Sequence, residues 1–142
     1  MQRFHTSSEE ETIALGEKLA LALTRPCVVL LIGNLGAGKT TLVKGLALGL
    51  GAAVPDEVTS PSFPLIHEYG NAVYHIDLYR LETAREVASL GLDEIFDRES
   101  VALIEWGERF PELWPEERFE IRIETVDEDE RVITVSGVSL TN

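Results

Sequence analysis

Residues 33–40 constrain this chain more than any other stretch. They read Gly33-Asn34-Leu35-Gly36-Ala37-Gly38-Lys39-Thr40, the G-x-x-x-x-G-K-[ST] pattern of a phosphate-binding loop. The flanks suit the motif. Cys27–Ile32 is a continuous apolar run, the signature of a strand buried on both faces. Residues 41–50 have helical pattern and are closed by Gly51. Strand, glycine loop and helix together aim backbone N–H groups from Asn34, Leu35, Gly36, Ala37 and Gly38 at one phosphate chain. The helix start, at Lys39, Thr40 and Thr41, adds partial positive charge. In such a loop the lysine, here Lys39, reaches the β- and γ-phosphates and the hydroxyl, here Thr40, binds Mg²⁺. The expected ligand is a nucleoside triphosphate.

Composition limits what surrounds that loop. A chain of 142 residues with 44% apolar content fits one folded domain and can bury a core. The single cysteine, Cys27, lies inside the apolar run. One thiol allows no internal disulfide and suits a reducing cytoplasm. No apolar run approaches a membrane span, so a cytoplasmic protein with no membrane contact is expected. The formal charge is −13, from 25 acidic and 12 basic residues. That balance disfavours a direct grip on nucleic acid, which needs Lys and Arg on phosphates. It leaves open docking onto a basic partner protein.

The remaining pattern completes an α/β reading. Ser8 and Glu11 have capping-box spacing before a helix over about 9–24, with Leu15, Leu19 and Leu23 on one face and Pro26 ending it. Residues 63–68 and 72–78 read as two strands around a 69–71 turn. A short helix over 82–90 stops at Gly91, and 92–96 forms another helical turn. Residues 101–104 form a short buried strand. Residues 119–124 alternate apolar and charged side chains, and 131–136 return as the second arm of an antiparallel hairpin. The fold class is therefore α/β: one P-loop NTPase domain over 1–142, with a mostly parallel central sheet and antiparallel hairpin additions.

A hydrolytic phosphate site also needs a carboxylate at the end of a buried strand, to hold metal or position water. Two acids fit: Asp77 after Ile76, and Glu105 after Ile104. Local pattern leaves each open between that role and a solvated strand end. Trp106, directly after Glu105, should point away from Glu105 by strand alternation. His75 should share a face with Asp77, as a packed or hydrogen-bonded histidine rather than a proton relay. Tyr79 reads equally as core or as an interface aromatic, and Arg80 as a surface pair or an arginine finger.

Four segments in this order and spacing resemble one family. They are 33–41, Thr59-Ser60-Pro61-Ser62-Phe63, His75-Ile76-Asp77-Leu78-Tyr79-Arg80-Leu81, and Ile104-Glu105-Trp106-Gly107-Glu108. The chain is similar along nearly its whole length to TsaE (formerly YjeE), a bacterial ATPase family of tRNA threonylcarbamoyladenosine formation. The resemblance implies ATP as substrate and Mg²⁺ as cofactor, with Thr40 and Glu105 as metal ligands. Lys39, Asp77 and Glu105 would be the catalytic set, with Asp77 serving water or switch chemistry. Segment 59–63 would be a switch that brings Ser62 near the γ-phosphate. The N-terminal region and the hairpin would reach the base, which transfers to Glu9 and Arg131. The implied partners are TsaB and TsaD, which would hold the tRNA while this chain touches it only indirectly. Hydrolysis alone would be slow.

Three other functions remain as rivals. A small P-loop kinase of a metabolite or nucleoside would need several lid arginines, and 51–100 supplies only Arg80, Arg85 and Arg98. A GTPase would carry Asp-x-x-Gly and Asn-Lys-x-Asp, which this chain lacks. A regulatory subunit would bind ATP without hydrolysing it.

Overall fold

The computed structural model describes residues 1–34, 36–61 and 65–137. Leu35 and Ser62 lie outside the described residues, as does Phe63 of the expected switch segment.

One seven-stranded sheet organises the chain. Its strands are β1 (Gln2–Thr6), β2 (Cys27–Ile32), β3 (Ile66–Tyr69), β4 (Val73–Asp77), β5 (Val101–Glu105), β6 (Phe119–Thr125) and β7 (Arg131–Ser136). The order across the sheet is β1-β7-β6-β2-β5-β4-β3. β6, β2, β5 and β4 run parallel, while β3 and the β7–β1 pair are antiparallel additions at the two edges. The apolar run of β2 sits at the centre because only a central strand hides both faces.

The helices are α1 (Glu9–Leu19), α2 (Lys39–Gly49), α3 (Ala84–Ala88) and α4 (Leu92–Phe96). α1 and α2 cover one face of the sheet, against Val29, Leu31, Leu103 and Ile121. α3, α4 and the turns at Gly107–Arg109 and Pro111–Leu113 cover the other, against Leu30, Ile76 and Ile104. Strand alternation assigns the faces, so Asp77 and Glu105 fall on the α1–α2 side.

Two elements differ from expectation. α1 ends at Leu19 and continues as a tight 3₁₀ turn, Ala20–Ala22, rather than running to 24. Helix ends commonly tighten in this way, and the position before Pro26 resists helical backbone. β1 gave no strand signal, since Phe4 is its one large apolar side chain. It forms because β7 offers an open edge, with Phe4 opposite Ile133.

Candidate functional site

The turn after β2 is shaped by its glycines. Gly36 has φ 82° and Gly38 φ 104°, values that side chains rarely tolerate. Gly38 starts α2, so Lys39 and Thr40 occupy the first helical turn. Beside them a cavity of about 500 Å³ opens over the carboxyl ends of β4 and β5, where ligands lie in open α/β sheets. Gly36, Gly38, Lys39, Thr40 and Thr41 line it from the loop, and Asp77 and Glu105 from the strand ends.

Parallel pairing sets the two acids side by side, with Asp77 in register with Glu105. Asp77 is held at both oxygens: Ser60 Oγ donates to Oδ2 at 3.1 Å, and the Tyr79 N–H to Oδ1 at 2.9 Å. Glu105 is only 4% exposed. Its Oε2 lies 2.6 Å from His75 Nε2 and accepts from the Thr40 hydroxyl at 3.4 Å. A hydroxyl and a carboxylate facing each other are hard oxygen donors of the kind Mg²⁺ takes. Among the described residues no group of three or more His, Cys, Asp or Glu forms a cage.

Lys39 is 5% exposed. Its ammonium donates to the Gly33 carbonyl at 2.8 Å and sits 3.6 Å over the Trp106 ring. Burial pushes its pKa below the usual lysine range, while the carboxylates of Glu105, Glu108 and Asp77 pull it back up.

Trp106 packs against the core on the α3–α4 side, as alternation predicts, and it also lines the cavity. β5 ends at Glu105, and Trp106 takes φ 67°, which swings the ring into the cavity beside Lys39. The Tyr79 ring meets it edge-on at 5.1 Å, and Tyr79 is 48% exposed at the rim, not core. Arg80 also lines the cavity. Arg109 went unread in the sequence, although it directly follows the Ile104–Glu108 segment. It donates to the Leu78 carbonyl, and its guanidinium lies 5.6 Å from the Trp106 ring.

The opposite flank of the loop joins the two chain ends. Arg131 Nε donates to the Ala37 carbonyl at 2.8 Å, and its Nη1 to the carbonyls of Asp127, Glu128 and Glu130. This ties the β6–β7 turn to the phosphate loop. Glu9 and Arg131 both line a small cavity of about 120 Å³ beside Gly38 and Thr41. The two residues that the resemblance assigns together to the base are therefore neighbours. Asn34 and Ala37 line a third cavity on the β6 side, and the Ala37 N–H already donates to the Asn34 carbonyl at 3.0 Å. Neither lines the large cavity.

Cys27 stands apart from this chemistry, at the far end of β2. Burial raises its thiol to about 11, slightly offset by the charge of Arg25. It is an inert thiol at neutral pH.

Comparison with known proteins gives a consistent picture. Residues 6–133 match the family described as threonylcarbamoyl adenosine biosynthesis protein TsaE. The tRNA threonylcarbamoyladenosine biosynthesis protein TsaE of Bacillus subtilis is 44% identical over 140 residues, covering 96% of this chain and 85% of that protein. The protein of the same name from Treponema pallidum is 39% identical, covering 91% of this chain and 96% of that one. The crystal structure of Bacillus subtilis YdiB superposes with a TM-score of 0.77 at 38% identity, covering 96% of this chain and 85% of that one.

Proposed function

This chain belongs to the TsaE family of threonylcarbamoyl adenosine biosynthesis proteins, and on that premise we propose that it is a Mg²⁺-dependent ATPase serving threonylcarbamoyl transfer to tRNA. The observation that carries the reading is one of convergence. Lys39, Thr40, Asp77 and Glu105 come from three separate elements and line one cavity beneath the glycine loop.

Each residue then has work that its position supports. The loop N–H groups and the α2 N-terminus receive the phosphate oxygens. Lys39 leaves the Gly33 carbonyl for the β- and γ-phosphates, a more favourable charge-assisted partner. Thr40 and Glu105 would hold Mg²⁺, which supplies positive charge to the phosphoryl oxygens. Asp77 orients the attacking water, and its bond from Ser60 links that task to the segment after α2. Glu9 and Arg131 border the base and ribose end. Catalysis is positioning plus electrostatics, with no covalent step by the protein.

Docking onto a TsaB–TsaD pair supplies the rest of the cycle. The acidic surface suits a basic partner, and the exposed Tyr79 at the cavity rim suits an interface. The test is phosphate release from ATP by the pure chain, with and without TsaB and TsaD. Slow release that the pair accelerates is expected. Fast release indifferent to the pair would refute the docking role. A phosphorylated acceptor in place of free phosphate would make the chain a kinase. No hydrolysis under either condition would leave it a binding subunit.

A further inference from the structure

β4 carries a second polar residue on the same face as Asp77. His75 is wholly buried, one pleat back from the acids, and its Nε2 lies 2.6 Å from Glu105 Oε2. A buried imidazole is costly where an apolar side chain would pack as well. The cost is sharpened by Nδ1, which is buried with no hydrogen-bond partner among the described residues. Such an atom needs a reason.

The orphan nitrogen also assigns the proton. A proton on Nδ1 would be a buried donor facing no acceptor, whereas a proton on Nε2 meets a carboxylate oxygen. His75 therefore donates Nε2–H to Glu105. Its neighbour Tyr69, with ring centres 6.4 Å apart at a 37° tilt, packs against the imidazole and helps fix its plane.

We propose that His75 is a positioning residue for the metal-binding carboxylate: its buried Nε2–H locks Glu105 in the rotamer that faces the Thr40 hydroxyl. This rests on the ATPase reading above. Free of that bond, the Glu105 side chain has several rotamers, and the Thr40 contact at 3.4 Å is too long to select one. Locking it removes an ordering cost that ion binding would otherwise bear. Hydrogen-bonding partners behind a metal ligand typically change metal affinity by about 10–100-fold.

The experiment compares the parent with His75→Leu, which removes the donor, and His75→Gln, whose amide nitrogen can take the place of Nε2. Calorimetry follows Mg²⁺ binding to each protein loaded with a non-hydrolysable ATP analogue. Nucleotide affinity is measured separately in excess EDTA. For His75→Leu the half-saturating Mg²⁺ concentration should rise on the order of 10-fold or more, with EDTA affinity unchanged. His75→Gln should recover most of the loss. Nitrogen NMR of the unaltered protein should find a proton on Nε2.

Several results would overturn the proposal. They are a folded His75→Leu with parental Mg²⁺ affinity, a folded His75→Gln whose half-saturating Mg²⁺ concentration lies on the order of 10-fold or more above the parent's, or an Nε2 that carries no proton. The last two decide the matter if the leucine variant does not fold. A parent that binds no nucleotide, or binds it without response to Mg²⁺, would overturn the ATPase reading itself and this proposal with it. A parent that responds while His75→Leu responds identically would overturn the positioning role alone.

Discussion

Lys39 brings an ammonium into a site that leaves it 5% exposed, and its surroundings offset that cost only in part. A carbonyl bond and a contact with the Trp106 ring help. Burial still lowers its pKa. The unfolded chain therefore holds more protons than the folded one between the depressed folded value and the ordinary 10.5. Lys39 costs stability below that window, and the cost shrinks as pH rises through it. Lys39→Met should accordingly melt no lower than the parent at neutral pH, while the parent gains on it as pH climbs toward 10.5. The same variant should lose roughly 1.5–3 kcal/mol of triphosphate affinity. Melting curves across pH and a nucleotide titration check both halves. A Lys39→Met protein that melts lower, or binds ATP as well as the parent, would contradict this account. Trp106 completes the argument at this scale. Its positive φ is uncommon for a side chain of that size and is the local device that turns a strand-end residue into the cavity.

α1 and α2 approach each other more closely than ordinary side chains permit. A Cβ on Gly45 would stand 2.1 Å from the Ile13 carbonyl oxygen, and one on Gly16 2.7 Å from that of Leu42. Gly49 is as tight, against the Glu17 carbonyl. Glycine inside a helix normally costs up to about 1 kcal/mol relative to alanine, so these positions trade local propensity for contact. The closeness matters for the site. α1 begins at Glu9 and α2 at Lys39, so the helix pair sets where both ends of the proposed nucleotide cleft lie. Gly45→Ala gains propensity yet must push two backbones apart. We expect a net loss of about 1–3 kcal/mol in urea denaturation, the range for overpacked cores. A more stable variant would show that the helices can separate at little cost. The α1 start is itself well capped. Ser8 Oγ accepts from the Glu11 N–H at 3.1 Å, and Glu11 accepts in return from the Ser7 N–H at 2.7 Å, one residue earlier than the usual capping box.

Across the molecule, the formal charge of −13 decides what can approach. Lysines number only three, and one of them, Lys39, is inside the site. Arg131 spends its hydrogen bonds on backbone carbonyls, and Arg118 pairs with Glu120 at 2.9 Å. The other basic residues are outnumbered by 25 acidic ones, so little counterion release would reward contact with a polynucleotide. The pure chain should therefore show no measurable tRNA binding by anisotropy at physiological salt. Micromolar affinity with a steep salt slope would refute this. Among the described residues no helix is long and apolar enough to cross a membrane.

How much of this was legible beforehand follows from the range of the forces involved. The loop at 33–40, the buried run of β2 and the hairpin of β6 and β7 rest on local rules: glycine at positive φ, continuous apolarity, and alternation with a charged turn. Those rules act over a few residues, so the sequence alone determined these elements and marked Asp77 and Glu105 as strand-end acids. Pairings between distant strands are different, because no local period encodes a partner. Only the tertiary structure decided that Asp77 and Glu105 share a register, that His75 reaches Glu105, and that β1 closes on β7. The same holds for Arg109 reaching the Leu78 carbonyl. Trp106 shows the limit most clearly. Alternation placed Trp106 against the core opposite Glu105, but β5 ends at Glu105 and the positive φ of Trp106 also brings its ring to the cavity.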